Sequence, residues 1–250
     1  MTHWQYGRQT VLEILRSGQP VLKLLVSDSA QKDFLQEVLE AAKERKVPCR
    51  VVPKKQIDEV AQGNHQGAAV QVPIAKPVEF KSFLERLRPG KSTFLCLLDD
   101  LEDPHNVGAI IRSAVCFGCS GVVIPKRHSA GLSPAAMRSS SGAAAHIPVA
   151  DIPNLGVAIE RLKENGFFIL GADASGGNEP LGSTDLDFPL AVVFGNEHRG
   201  IKPTIQKACD RLVSIPQSAA VASLNVSNAA AIFFYEISKK IGLSRKRDLI

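Results

Sequence analysis

From residue 93 onward, short apolar runs alternate with helix-length amphipathic stretches, and few architectures accommodate that pattern. The runs are FLCLLD (94–99), GVVIP (121–125), IPVA (147–150), FFILGA (167–172), LAVVF (190–194) and RLVSI (211–215). Helical spacing over 106–117, 133–139, 154–165, 203–209 and 225–240 separates most of them. A strand that is apolar at every position is buried on both faces, so the runs predict an α/β fold with a mainly parallel sheet and helices on both sides. In such sheets ligands bind beyond the carboxyl ends of the strands.

Before residue 93 the pattern describes a smaller α/β unit. Strands are predicted at 21–27, 49–52 and 67–72, with a short helix at 55–62. A longer helix at 31–46 would place Phe34, Leu35, Val38, Leu39 and Ala42 on one face. The stretch 73–92 carries Pro73, Pro77 and Pro89 and reads as a linker. The expected organisation is therefore a small domain over 1–73, a linker over 74–92 and a larger domain over 93–250. No internal repeat or low-complexity segment interrupts it.

Composition narrows the function classes. With 44% hydrophobic residues in 250, the chain has enough apolar material for a core. No apolar run reaches membrane-spanning length, and MTHWQYGRQT lacks the apolar segment of a secretion signal, so no membrane partner is expected. Five scattered cysteines, an odd number, favour a reducing cytoplasm. The net charge of +5 permits a nucleic-acid partner, and basic residues cluster at Lys239, Lys240, Arg245, Lys246 and Arg247.

The familiar nucleotide motifs are missing. There is no phosphate loop, no G-x-S-x-G, and no G-x-G-x-x-G after the first strand of the larger domain; GADASGG (171–177) has the wrong spacing. CFGC (116–119) is a C-x-x-C without a second Cys/His pair, at the end of an apolar helix, which argues against a metal or redox role. Three segments at strand ends remain. DPHNVGAIIRSA holds Asn106, a potential helix cap, and Arg112, an arginine in an otherwise apolar helix. VVFGNEHRGI brackets four polar residues between Gly195 and Gly200. SIPQSAAVASLNVSNAAA turns a strand into the last helix through small residues, which leave room for a ligand. In the small domain, His65 and Gln66 of GNHQG are placed to stack on or hydrogen-bond an unpaired base. Trp4 and Tyr6 are expected to pack on their own domain.

Taken in order, these three segments resemble the motifs of the SpoU (TrmH-type, SPOUT) family of RNA 2'-O-ribose methyltransferases: N-x5-R, F-G-N-E-x-x-G and I-P-Q…S-L-N-V-S-x-A-A-A. YGRQTVLEIL (6–15) and NHQGAAVQV (64–72) are similar to the L30e-like RNA-binding domain of bacterial members, although many members carry a histidine where this chain has Arg8-Gln9-Thr10. The resemblance implies an α/β sheet with a C-terminal trefoil knot, an exception to the rule against threaded loops. It implies S-adenosylmethionine as cofactor, held by the backbone of Gly195, Ile215 and Leu224 with Ser223 and Asn225 assisting by hydrogen bonds. It implies a homodimer and an RNA partner. The two-domain arrangement is similar to that of members acting on a guanosine of 23S rRNA; the alternatives are a tRNA ribose methyltransferase and a non-catalytic RNA-binding or ribosome-assembly protein on the same fold.

The catalytic residues implied are Arg112, Asn106 and Glu197. A guanidinium is not deprotonated in proteins, so Arg112 would orient the 2'-hydroxyl and stabilise the developing alkoxide. Asn106 and Glu197 would position through hydrogen bonds. His105 and His198 are the nearest conventional bases in the sequence. MRSSSGAAAHIPV (137–149) resembles a family segment on the RNA side, which implies target contacts from Arg138, Ser139 and Ser140. The sulfonium carries its own leaving group, so no metal is required.

Overall fold

In the computed structural model, which describes residues 2–18, 20–61, 63–73, 76–174, 178–218 and 223–242, the chain divides into two units, Met1–Ala75 and Lys76–Ile250. The first unit runs β1 (Thr2–Tyr6), α1 (Arg8–Arg16), β2 (Lys23–Ser27), α2 (Lys32–Glu44), β3 (Cys49–Val52), α3 (Lys54–Asp58) and β4 (Ala68–Pro73). Its sheet has the order β1-β4-β2-β3, with β2 and β3 parallel and β4 antiparallel to its neighbours β1 and β2. Val11, Ile14 and Leu15 of α1 and Phe34, Val38 and Ala42 of α2 cover one face. Leu39, expected on that stripe, is exposed, so the buried face of α2 is narrower than the spacing implies.

β1 escapes sequence reading because THWQY offers no apolar alternation. Its backbone pairs along β4 from Thr2↔Pro73 to Tyr6↔Ala69. Trp4 and Tyr6 pack against a second small cluster around Leu25, Val52 and Ile57, as expected of a segment lying on its own unit.

The second unit contains β5 (Val78–Glu79), α4 (Phe80–Arg86), β6 (Phe94–Leu98), α5 (Pro104–Cys116), β7 (Gly121–Pro125), α6 (Pro134–Ser139), a 3-10 turn at Ala143–Ala145, β8 (Val149–Ile152), α7 (Leu155–Glu164), β9 (Phe168–Ala172), β10 (Glu179–Pro180), β11 (Leu190–Phe194), α8 (Pro203–Ala208), β12 (Arg211–Ser214) and α9 (Val226–Lys240). The sheet order is β10-β12-β9-β11-β6-β7-β8-β5, and every pairing among the described residues is parallel. Side chains alternate across β6. Phe94, Cys96 and Leu98 meet α5 and α9, while Leu95 and Leu97 meet α4, α7 and α8.

Residues 78–86 lie within the stretch expected as a linker, yet they form an edge strand paired to β8 and a helix on the sheet. The prolines mislead because Phe83 decides. Its ring is 2% exposed and presses on Gly121, where an added Cβ would fall 2.5 Å from it.

The order of strands fixes where a site can form. β6 and β11 are neighbours, but α5, which follows β6, lies on one face, whereas α8, which follows β11, lies on the other. The connections leave in opposite directions and open a crevice beyond the carboxyl ends of the two strands.

Candidate active site

Loop 99–103 after β6 and loop 195–202 after β11 meet at that crevice and are fastened to each other. Asn196 Nδ2 donates to the Asp100 carbonyl at 2.9 Å, and Asn196 Oδ1 accepts from His198 N and Arg199 N. Arg199 pairs with Glu102 at 3.1 Å on the exposed rim. Lys202 N donates to Asp99 Oδ2 at 2.8 Å, and the Lys202 ammonium reaches both Asp99 and Asp100. Asp99 is 1% exposed, and burial raises its carboxyl above the ordinary value despite the Lys202 contacts. Lys202 is raised too, first by its bond to Asp100. The two directions are compatible, because the half-exposed ammonium keeps its hydration and gains partners, whereas the Asp99 carboxylate loses its hydration.

Gly195 is required here for a steric reason. A Cβ on it would lie 2.1 Å from Gly200 C and Ile201 N, so the loop closes on itself only without a side chain. The Asn196–Gly200 backbone bridge, 3.0 and 2.9 Å, completes the closure.

A cavity of about 320 Å³ lies against this loop, within the range of small-molecule sites. Its apolar wall is Phe194, Ile215, Ala229 and Phe233; its polar groups include Asp173, Glu197 and Ser223. Of the expected cofactor residues, Gly195, Ile215, Ser223 and Leu224 line it. The Ala and Val positions 219–222 of SIPQSAAVASLNVSNAAA lie outside the described residues, as do Arg245, Lys246 and Arg247.

Three motif side chains join in a relay beside the cavity. Asn225 Nδ2 donates to Asn106 Oδ1 at 3.1 Å, and Asn106 Nδ2 donates to Glu197 Oε1 at 3.0 Å. Asn225 Oδ1 caps α9, accepting from Ser227 N at 2.8 Å and Ser227 Oγ at 2.6 Å. That cap leaves the Asn225 amide nitrogen to face Asn106 and sets the polarity of the whole chain. Asn106 is not the cap of α5. Asp103 is, accepting from His105 N at 2.8 Å, with Pro104 in the first turn. Relieved of that task, Asn106 is 8% exposed and bridges two other motifs.

Other expected residues stand apart. Arg112 lies six residues beyond Asn106, about 9 Å along α5 at 1.5 Å per residue. It is exposed, donates to Ser141 Oγ at 2.7 Å and is not among the residues lining the cavity. Arg138 is exposed on α6. Ser140 is a correction: it is fully buried, and its hydroxyl donates to the Met137 carbonyl at 2.8 Å, so it faces no ligand. Ser139 Oγ binds the His105 carbonyl, which ties α6 to the start of α5. Gly108 permits that approach, since a Cβ there would stand 2.4 Å from Ala136 O.

In the first unit His65 is a second correction. Its ring is buried, accepts Gly67 N–H on Nδ1 at 3.0 Å and meets Asp58 Oδ1 from Nε2 at 2.8 Å, so it braces its loop and does not stack on a base. Gln66 is exposed, with its side-chain carbonyl accepting Arg8 N at 3.2 Å. The C-x-x-C carries no site: Cys116 is exposed, whereas Cys119 is buried with its thiol pushed up to about 12 by burial. No cluster of metal-ligating side chains exists among the described residues. No described helix is long and apolar enough to cross a membrane.

Sequence reasoning missed Asp99, Asp100 and Lys202. The visible signal was a pair of aspartates ending a wholly apolar strand, where an acidic group is costly unless it holds something.

The family model of the SpoU rRNA Methylase family matches residues 93–235, and that of RNA 2'-O ribose methyltransferase substrate binding matches residues 5–78. A Bacillus subtilis protein that carries the name TrmH family tRNA/rRNA methyltransferase YacO is 37% identical over 235 residues, 94% of each chain. Among solved structures, the SpoU methyltransferase AviRb from Streptomyces viridochromogenes in complex with the cofactor AdoMet superposes with a TM-score of 0.74 at 23% identity, over 95% of this chain and 90% of that one. An AdoMet-bound rRNA methyltransferase from Sinorhizobium meliloti gives 0.74 at 22% identity, over 95% and 87%.

Proposed function

We propose, from the premise that this chain belongs to the SpoU rRNA methylase family, that it methylates a ribose 2'-hydroxyl of RNA with S-adenosylmethionine as cofactor. The observation that carries the reading is the Asn225–Asn106–Glu197 relay, which joins all three motifs at the edge of one cavity.

The cavity suits the cofactor. Its apolar wall fits an adenine face, and the carboxylates of Glu197 and Asp173 fit a positively charged centre. When bound, the cofactor supplies an electrophilic methyl on a sulfonium. The chain supplies the rest. Asn106, held from both sides, fixes the Glu197 carboxylate. The fastened loop 195–202 holds the backbone of Gly195 in place. Arg112, exposed on α5 and outside the lining of this cavity, is left to meet the RNA, where it would orient the 2'-hydroxyl and stabilise the developing alkoxide.

The reading extends to a guanosine of 23S rRNA as target, supported by the separate substrate-binding unit. It extends to a homodimer, supported by Leu224, Ile232 and Tyr235, which remain exposed at 37 to 50% on or beside α9. It extends to the cytoplasm, in keeping with five free cysteines, and to the C-terminal knot that accompanies the fold.

The test is transfer of labelled methyl to bulk 23S rRNA and, separately, to bulk tRNA, by the native chain and by Arg112→Ala. Alkali-resistant dinucleotides in the digest report methylation on the ribose oxygen. Label in rRNA that falls at least ~10²-fold with Arg112→Ala supports the reading and the role. Label in tRNA alone overturns the target. No label in either, with cofactor bound, overturns the enzyme.

A further inference from the structure

α6 packs along one stripe of α5, and that stripe ends at Arg112. His105, Gly108 and Arg112 follow one another at three and four residues, which puts them on the same side of the helix. Each meets the α6 segment in turn. The His105 carbonyl accepts Ser139 Oγ at 3.0 Å. Gly108 lies so close that an added Cβ would stand 2.5 Å from Ser139 Cβ and 2.8 Å from Ser140 N. Arg112 Nη1 donates to Ser141 Oγ at 2.7 Å. Of the three serines in MRSSSGAAA, Ser139 ties the helices together and Ser140 is bonded within its own segment, to the Met137 carbonyl. Ser141 is the one that reaches a motif side chain.

The backbone at Ser141 is unusual. Ser140, which follows α6, is still right-handed, but Ser141 (φ +48) and Gly142 (φ +86) are both left-handed. Ser141 N donates to the Arg138 carbonyl at 3.0 Å, and Ala143 N donates to that of Ser140 at 3.0 Å, so the reversal is hydrogen-bonded on both sides. Glycine takes a left-handed conformation freely and asparagine takes it readily, whereas serine does so against a steric penalty. For the turn alone, glycine would be the better residue at 141, as it is at 142. What serine adds is a hydroxyl, and that hydroxyl is on Arg112.

Arg112 is exposed, and an exposed arginine has many rotamers to lose before its planar fork can orient anything. A group that is fixed before the substrate arrives has that cost removed from the reaction. A short bond from a hydrogen-bonded turn provides such a fixture. We propose that Ser141 is the positioning residue for Arg112, so that the rate of methyl transfer depends on a hydroxyl outside the cavity lining. The inference rests on the reading that Arg112 serves methyl transfer and adds the residue through which it is held.

Two substitutions separate the hydroxyl from the backbone. Ser141→Gly suits the left-handed turn and removes the acceptor; Ser141→Asn suits the turn and offers a side-chain carbonyl in place of the hydroxyl. The first measurement needs no substrate. Nuclear relaxation of the arginine Nε groups is recorded on the full chain, with the Arg112 signal identified by its loss in Arg112→Lys. The Arg112 order parameter should fall below about 0.6 in Ser141→Gly and stay above it in the native chain and in Ser141→Asn. Equal order in Ser141→Gly and the native chain overturns the proposal. The second measurement is steady-state methyl transfer to bulk 23S rRNA and to bulk tRNA. Ser141→Gly should melt no lower than the native chain, bind S-adenosylmethionine as tightly, keep KM for RNA within about twofold and lose about tenfold in kcat, most of which Ser141→Asn regains. A loss of kcat that comes with a lower melt or weaker cofactor binding overturns the proposal, because Ser141 is then a brace of the fold. Native kcat in Ser141→Gly, with Arg112→Ala inactive, also overturns it and leaves the reading of Arg112 standing. Full activity in Arg112→Ala sinks that reading instead, whatever Ser141 does. With no label accepted by either RNA, the relaxation decides whether Ser141 holds Arg112.

Discussion

Asn106 must present a donor to Glu197 and an acceptor to Asn225, and only an amide of that length does both. Asn106→Asp would set a carboxylate 3.0 Å from Glu197 Oε1, so one of the two must hold a proton for the relay to survive. Methyl transfer by Asn106→Asp should fall ~10²-fold near neutral pH and recover in part as the pH is lowered, whereas Asn106→Ala should fall without recovery. A pH–rate profile of both variants decides this; identical profiles would refute the relay. Asp99 makes the opposite kind of prediction. Burial raises its carboxyl above 3.8, so the folded chain binds that proton more readily than the unfolded chain. Its contribution to stability therefore declines as pH rises from 3.8 through the raised value. In Asp99→Asn that decline should be missing, with Lys202 N still accepted by the side-chain carbonyl. Denaturant titrations of both proteins at pH 4 and pH 7 check the sign, and parallel pH dependence would refute it.

Among the elements, the central strands β6, β7 and β11 of the second unit were legible because each is apolar throughout and therefore buried on both sides; β7 and β11 fall on the residues expected. What stayed hidden formed without an apolar signature. β1 is held by backbone pairing, β10 has two residues, and residues 78–86 read as linker because prolines outweighed one phenylalanine. The site was half legible for a related reason. Residues whose type announces chemistry, such as Glu197 and Asn225, could be picked out by eye. Burial cannot, and burial turned Ser140 and His65 from surface contacts into internal braces. Steric closeness is equally silent in a sequence, yet it governs loop 195–202. Gly195→Ala should cost roughly 1–3 kcal/mol, because its Cβ would meet backbone and not a yielding side chain. It should weaken S-adenosylmethionine binding as well. Thermal melts and calorimetry would show both, and a native melt in the variant would contradict the packing described.

For the molecule as a whole, the boundary at Ala75 and Lys76 predicts how the chain can be cut. A fragment starting at Lys76 keeps β5, α4 and Phe83, and should bind S-adenosylmethionine like the full chain while losing affinity for RNA. A fragment starting at Thr93 strips Phe83 from Gly121 and bares the edge of β8. It should be less stable by about 3–5 kcal/mol, the usual cost of deleting a buried phenylalanine. Denaturation midpoints of the two fragments test this, and equal midpoints would restore 74–92 to the status of a linker. The relay also has a consequence in time. Glu197 lies 91 residues after Asn106, and Asn225 lies 119 after it. During synthesis, β6 through β11 are made before Ser223, Leu224 and Asn225, so the cavity has no far wall until the start of α9 has been added. A copy that stops short of α9 lacks both that wall and the third side chain of the relay.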